Sequence, residues 1–150
     1  MEKKKKRVIV CDFDVDPEKA ADADADIVFS PRAGILNCCG CLDCWFQTPS
    51  KCRFHDTAAH MSKILSECDE LIVVSRCIYG SCSPFAKNLL DRSVSYVLPF
   101  FRKNGKLTAH FARYKNRLSI RFLYYGELLP DEKKISYRYD MYLQQLLNKV

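Results

Sequence analysis

Four cysteines, Cys38, Cys41, Cys44 and Cys52, follow one another with the spacing C-x2-C-x2-C-x7-C. Compact runs of four cysteines hold iron–sulfur clusters, and C-x2-C pairs also hold zinc. Three interpretations stay open for this run. The four cysteines bind a 4Fe–4S cluster, or three of them bind zinc together with one histidine, or the loop carries no metal and its reduced thiols shape a neighbouring pocket. The zinc site would consist of Cys41, Cys44, Cys52 and His55.

The composition is that of one folded domain. The chain has 150 residues, of which 48% are hydrophobic, so we expect a single domain over residues 1–150 with one core. No apolar run approaches the roughly 18 residues of a membrane-spanning helix. The apolar stretch that follows the basic residues 1–7 is too short for a signal peptide. We therefore expect a frayed basic terminus at 1–7, no membrane partner, and a cytoplasmic protein with reduced thiols.

The charges are unevenly distributed along the chain. Acidic residues crowd the first thirty positions, whereas residues 101–121 carry seven lysines and arginines and no acid. Such a basic block could bind nucleic acid or an anionic cofactor. A solvated basic surface is the simpler interpretation, and nucleic acid is not an expected partner.

The apolar patterns predict alternating strands and helices. Short apolar runs of the kind found in buried strands are Val8 to Cys11, Ile27 to Phe29 and Leu71 to Val74. Cys11, Cys68 and Cys77 fall in apolar patterns and are interpreted as small buried residues. Further strands are predicted at 107–112 and 118–125, the latter near a sheet edge. Helices are predicted at 17–26, from Asp56 to Cys68, from Ser83 through Val97, and after Asp131.

This order predicts an α/β fold with a doubly wound, mostly parallel, five-stranded sheet and helices on both faces. Ligands bind beyond the carboxyl ends of the strands in such sheets. The cysteine loop and the loop at 75–83 both follow strands at that edge, so we expect them to lie side by side. Asp91 and Arg92, at the end of a helix, are interpreted as a structural ion pair.

Three segments carry a resemblance to a known family. They are C-x-G-C-x-x-C-W-x-x-T-P-x-x-C over residues 38–52, G-S-x-S-x-x-x-K-x-x-x-D-R over residues 80–92, and L-Y-Y-G-E over residues 123–127. On these segments the chain resembles the flavodoxin-like NAD(P)H-dependent FMN reductases and their iron–sulfur flavoprotein relatives. The resemblance spans roughly two thirds of the chain, and it implies the flavodoxin-like form of the sheet.

The resemblance also implies an activity. The chain would be an FMN-dependent NAD(P)H oxidoreductase or an electron-transfer flavoprotein, working as a homodimer or with a flavoprotein partner subunit and passing electrons to an unknown acceptor. The cofactor supplies the chemistry in such proteins, so no catalytic side chain is assigned. The loop after the third strand would contact the flavin through Cys77, Ile78, Tyr79, Gly80, Ser81 and Ser83.

One departure from the family pattern supports a different function. Relatives that bind FMN have a Gly-Ser phosphate loop after the first strand, whereas this chain has Asp12, Asp14 and Asp16 there. Carboxylates repel a phosphate, so the chain looks like a shortened member that lacks the phosphate-binding loop. The alternative is therefore a degenerate flavodoxin-like binding or scaffold subunit without FMN, with a structural metal at the cysteine run.

Overall fold

The computed structural model describes residues 5–15, 25–105 and 107–138. The strands are β1 (Arg7–Cys11), β2 (Ile27–Phe29), β3 (Glu70–Arg76), β4 (Val97–Asn104), β5 (Leu107–Ala112) and β6 (Ser119–Tyr125). The α-helices are α1 (Asp43–Phe46), α2 (Met61–Ser66) and α3 (Pro84–Arg92), and residues 130–138 are also helical. Pro31–Ala33 and Val94–Tyr96 form 3₁₀ turns. The helix predicted at 17–26 lies largely outside the described residues.

Four strands form a parallel sheet in the order β2-β1-β3-β6. The α/β class and the mostly parallel sheet are therefore confirmed. β1 begins at Arg7, inside the basic run, where the side chain of Arg7 pairs with Glu70 at 3.1 Å. β6 is an edge strand in which more and less exposed residues alternate, as its sequence predicts.

The predicted strand at 107–112 does not join this sheet. As β5 it pairs with β4 in a separate antiparallel hairpin, so the parallel sheet has four strands within the described residues.

The helix predicted from Ser83 through Val97 is shorter in the structure, where α3 ends at Arg92. Ser93 ends the helix by donating its hydroxyl to the carbonyl of Leu90 at 2.7 Å. The chain then becomes extended ahead of Pro99, which cannot donate to a helix.

The core lies on one face of the parallel sheet. Val8 and Val10 of β1 and Leu71 and Val73 of β3 are fully buried on this face, because alternate residues of a strand point to the same side. The helices α2 and α3 contribute Met61, Leu65, Ala86 and Leu89 to the same cluster. Cys11, Cys68 and Cys77 are buried, as predicted.

Candidate functional site

The cysteine loop runs along α3 and is fixed to it by side-chain hydrogen bonds. The amide of Cys38 donates to Asn88 Oδ1 at 2.7 Å, and Asn88 Nδ2 donates to the carbonyl of Leu36 at 3.2 Å. Further along the loop, Trp45 Nε1 donates to the carbonyl of Val97 at 2.7 Å. The loop is therefore attached both to the helix and to the start of the hairpin.

All four cysteines of the C-x2-C-x2-C-x7-C run line one small cavity. Its volume is about 20 Å³, which is enough for a single atom-sized guest. The lining residues are Cys38, Cys39, Cys41, Leu42, Cys44, Cys52, Phe54, Asp91, Arg92 and Val94. The sequence run thus forms one site in three dimensions, which we call the cysteine cradle.

A buried guanidinium forms part of the cradle wall. The side chain of Arg92 is 0% exposed and binds Asp56 through two hydrogen bonds, at 2.6 and 2.9 Å. Its Nη1 also donates to the carbonyl of Leu36 at 2.7 Å, and the guanidinium lies 5.4 Å from the centre of the Phe54 ring. Its Nε is buried and has no hydrogen-bond partner. A buried donor without a partner costs free energy, so an acceptor brought close to it would be stabilised.

The predicted ion pair between Asp91 and Arg92 is wrong, because each of the two residues pairs with a different partner. Asp91 pairs with Lys87 one turn earlier, in an exposed contact, whereas Arg92 reaches across the fold to Asp56. Asn88 and Arg92 are four residues apart and therefore lie on one face of the helix. This spacing could have indicated that both contact the same segment, but it does not indicate Asp56 as the partner of Arg92.

Burial and neighbouring charge make the cradle thiols unequal. Burial raises the pKa of Cys44, partly offset by a hydrogen bond with Ser95, while the nearby thiols of Cys52, Cys38 and Cys41 raise it further. Cys44 belongs to the protein interior, although it lies in the segment that the sequence predicts to be a loop. It lies in the short helix α1 and is 9% exposed.

Cys39 and Cys41 form an exposed pair at the mouth of the cradle. The backbone amide and the thiol of Cys41, together with the nearby charge of Arg53, lower the pKa of Cys39. The thiol of Cys41 is also the largest of the influences that raise the pKa of Arg53. Sequence reasoning assigned no role to Cys39 or Arg53.

The donor set of the cradle suits a metal, although its side chains are not closed around one. Four thiols are the ligands of Cys₄ zinc sites. Within the described ranges, no group of three or more His, Cys, Asp or Glu side chains is arranged to hold a metal ion as it stands. The sulfurs would therefore have to move closer together before they could hold an ion. His55 is exposed and does not line the cavity, so the set of three cysteines and His55 is not brought together.

The loop predicted to contact a flavin is partly covered by the helical residues 130–138. The amide of Tyr79 donates to the carboxylate of Glu132 at 3.1 Å. Gly80 has φ +80°, and a Cβ added there would lie 2.5 Å from Cγ2 of Ile135. Both partners belong to the helical residues 130–138. Cys77 and Ser83 are buried, while Ile78 and Tyr79 are 36% and 88% exposed. The amides of Ile78, Tyr79, Ser81 and Ser83 therefore all have hydrogen-bond acceptors within the chain.

Asp12 joins three strands at the carboxyl edge of the sheet. Its Oδ2 accepts hydrogen bonds from the hydroxyl of Ser75 and the amide of Arg76, both at 3.0 Å. Its Oδ1 accepts from the hydroxyl of Tyr125 at 2.8 Å. Burial alone would raise the pKa of Asp12, but hydrogen bonds from Ser83, Tyr125, Arg76 and Ser75 bring it below its ordinary value. A carboxylate of the protein thus uses donors that could otherwise bind an anionic ligand.

We expect Asp12→Asn to destabilise the protein at neutral pH and to matter less in acid. Because the pKa of Asp12 is lower in the folded chain, its stabilisation is present above the unfolded value, about 4, and is lost as the pH falls through the folded value. Urea unfolding of both proteins at several pH values measures this. The difference in unfolding free energy between the wild type and Asp12→Asn should narrow below about pH 4. A difference that does not depend on pH would contradict the role assigned to the charge of Asp12.

The cysteine loop and the loop at 75–83 both follow strands at the same edge of the sheet, but they lie at different ends of α3. Ser83 caps the N-terminus of this helix, whereas the cradle is lined by Asp91, Arg92 and Val94 at its C-terminal end. Nine helical residues separate these ends by about 13 Å. The cradle is therefore formed away from the loop that was predicted to contact the flavin.

In the parts of the chain that the structure describes, every helix is too short or too polar to cross a bilayer. No protein-family model matches the sequence, and no curated protein or solved structure is significantly similar to it.

Proposed function

We propose that this chain is a flavodoxin-like domain that binds one metal ion through Cys38, Cys41, Cys44 and Cys52 and acts, without FMN, as a binding or scaffold subunit for a redox partner. The observation that carries the proposal is the cradle, in which all four cysteines line one cavity beside a fully buried guanidinium. The reduced thiols that it requires suit a cytoplasmic protein.

The size and charge of the cradle support a single ion. A cavity of about 20 Å³ admits one atom, whereas a 4Fe–4S cluster would require the loop to open. When bound, a tetrahedral Zn²⁺ or Fe²⁺ would tie the loop together. Four thiolates around a divalent ion leave a net negative charge. The charge of Arg92 is already paired with Asp56, but its unpartnered Nε would be stabilised by a thiolate acceptor brought close to it.

The strand order supports the flavodoxin-like form of the fold. The order β2-β1-β3-β6 matches the first four positions of the flavodoxin-like order 2-1-3-4-5, with β6 in the fourth position. The β4–β5 hairpin then takes the place in the chain where that fold would have another strand and helix. Helices on the second face of the sheet belong to this proposal.

Metal analysis of protein purified without oxygen tests the proposed function. We expect one zinc or iron per chain, four fewer titratable thiols in the metal-bound protein, and a colourless solution if the ion is zinc. Four irons per chain, together with the absorbance of a cluster, would support a 4Fe–4S cluster in place of a single ion. The absence of any stoichiometric metal would overturn the proposal.

The second candidate function is the FMN-dependent NAD(P)H oxidoreductase. It is favoured by aromatic surface at the carboxyl edge, where Tyr79 is 88% exposed, and Tyr125 packs edge-to-face on Phe13 at 5.7 Å. Such rings could stack on an isoalloxazine. The position of Asp12 argues against this enzyme function, because Asp12 accepts hydrogen bonds from Ser75, Arg76 and Tyr125 at the same edge. These donors are then not available to a ligand.

We expect FMN to bind the wild-type chain no more tightly than a micromolar dissociation constant, which is roughly three decades weaker than a nanomolar flavoprotein site. The physical reason is the negative charge of Asp12 and the loss of amide donors, each charge-assisted contact being worth about 1.5–3 kcal/mol. Calorimetric titration measures the constant, with Asp12→Asn as the variant that should bind more tightly. A nanomolar constant together with NAD(P)H oxidation would favour the enzyme.

A further inference from the structure

We propose that the β4–β5 hairpin and the adjoining helix α1 form a stacking platform for single-stranded nucleic acid. The proposal is carried by a row of four rings that crosses from the hairpin to the cysteine loop, beside positive charge that no carboxylate neutralises. In order along the row, the rings are those of Phe101, His110, Trp45 and Phe46. The proposal goes beyond the proposed function and does not depend on a bound metal.

The four rings follow one another at contact distance. The centre of the Phe101 ring lies 4.3 Å from that of His110, and the centre of the His110 ring lies 5.3 Å from that of Trp45. The next step, from Trp45 to Phe46, is 6.1 Å. These are the spacings of interacting rings. Because β4, β5 and α1 each contribute to the row, it is a product of the fold and leaves no motif in the sequence.

The middle of the row is held in place, and its ends face solvent. Trp45 Nε1 and His110 Nδ1 each donate a hydrogen bond of 2.7 Å to a backbone carbonyl of β4, and both residues are half-buried. The outer rings, Phe101 and Phe46, are 65% and 62% exposed. A flat surface whose parts are already fixed loses little conformational entropy when a ligand binds. Nucleic-acid bases stack on aromatic rings of this kind.

Polar side chains share the face of the hairpin that carries the row. Phe101 is opposite His110 in the register of the two strands, and Lys103 is opposite Thr108. Alternate residues of a strand point to the same side, so these four side chains lie on one face. Lys103 and Thr108 are both exposed. An ammonium group and a hydroxyl are therefore available next to the rings.

A second cation lies beside the tryptophan of the row. The guanidinium of Arg113 donates to the carbonyl of Ser95 at 2.7 Å and to the carbonyl of Trp45 at 3.4 Å. Carbonyls do not neutralise its charge, and the ion pairs among the described residues involve neither Arg113 nor Lys103. Residues 101–121 also contain no acid. The platform therefore carries net positive charge.

This combination of rings and cations fits a single strand of nucleic acid. Every nucleotide presents a flat base and a negative phosphate, which match a ring and a cation that lie side by side. The bases of a duplex are stacked on one another and cannot lie on the rings. A second copy of the chain would bring the same positive hairpin against this one, and like charges repel across an interface.

The experiment titrates the whole chain with an oligothymidine of about twelve nucleotides and follows the fluorescence of Trp45, the only tryptophan of the sequence. We expect the oligonucleotide to quench this fluorescence as bases stack on the row. The logarithm of the binding constant should fall against the logarithm of the salt concentration with a slope of about −1.4, for two phosphates at about −0.7 each. The duplex with oligoadenine should leave the fluorescence unchanged.

Two variants separate stacking from charge. Phe101→Ala should weaken binding about tenfold and keep the salt slope, because it removes one stacking ring. Lys103→Met should reduce the steepness of the slope by about 0.7, because it removes one phosphate contact. The matched controls are Phe111→Ala, which removes a 43% exposed ring from the opposite face of the hairpin, and Lys87→Met, whose lysine is paired with Asp91. Both controls should bind like the wild type, and circular dichroism checks that every variant folds.

Four results would overturn the platform. They are an oligothymidine that does not quench Trp45, a duplex that quenches it equally, a Phe111→Ala variant that binds as weakly as Phe101→Ala, and a wild-type dimer that Phe101→Ala converts to a monomer in sedimentation. The last result would assign this face to a second copy of the chain. The titration is repeated with a chelator present, so that a failure of the metal proposal leaves the expected quenching unchanged.

Discussion

Arg92→Met is expected to lower the free energy of unfolding by about 3–5 kcal/mol, because it leaves the buried carboxylate of Asp56 without its charge partner. The Asp56 side chain is only 9% exposed, and the substitution also removes the donor to the carbonyl of Leu36. Methionine keeps most of the volume, so the loss reports the charge more than a cavity. Urea unfolding measures it as a lower midpoint with an unchanged slope.

Lys87→Met on the same helix is the matched control. Lys87 pairs with Asp91 at an exposed i,i+4 site, where the two side chains are 47% and 46% exposed. Such pairs contribute about 0.3–0.5 kcal/mol, so this variant should unfold almost like the wild type. Arg92→Met with Asp56→Asn should be less destabilised than the sum of the single changes, because the uncompensated charge is gone. A loss below about 1 kcal/mol in Arg92→Met would mean that water or another cation reaches Asp56.

Cys44→Ser and Cys41→Ser are each expected to abolish stoichiometric metal binding while the chain still folds. A hydroxyl is a far poorer ligand than a thiolate for zinc or iron. Each substitution therefore removes one of four ligands from the cradle. Metal content after purification without oxygen gives the result directly, and Cys39→Ser serves as the control that keeps the metal.

Thermal unfolding supplies a second readout of the same substitutions. A metal that binds only the folded chain, and whose free concentration is 100 times its dissociation constant, stabilises that chain by about 2.7 kcal/mol. A chelator should therefore lower the midpoint of the wild type and of Cys39→Ser but leave the two ligand variants unchanged. Equal chelator effects in all four proteins would show that the stabilising metal lies elsewhere.

The local features of this chain could be predicted from its sequence. The apolar runs that became β1, β2 and β3 are continuous, and the alternation in β6 reports an edge strand. The spacing of Cys38, Cys41 and Cys44 keeps these three cysteines close together, because residues three apart in a compact loop cannot move far from one another. Cys52 is eight residues further on, and it also lines the cavity. In each case the signal lies within a few residues of the structure that it specifies.

The long-range partners could not be predicted, because their signals lie in distant segments. Asp56 and Arg92 are 36 positions apart, and Asp12 reaches Tyr125 across 113. Neither pairing leaves a period or a motif in the sequence. The end of α3 was missed for a different reason. Val94 and Val97 continue its apolar spacing, while tertiary contacts of Ser95 with Ser62 at 2.5 Å and with Arg113 at 2.7 Å hold that segment outside the helix.

The position of the hairpin within the chain has a consequence for folding kinetics. β4 and β5 are consecutive and antiparallel, so their pairing closes only a short loop and can occur within microseconds. β3 and β6 pair in parallel across the entire segment between Arg76 and Ser119, and their contact carries the larger loop-closure entropy. Since the hairpin shortens that segment when it forms, we expect substitutions in its turn to slow the docking of β6 and to leave the pairing of β1 with β2 unaffected.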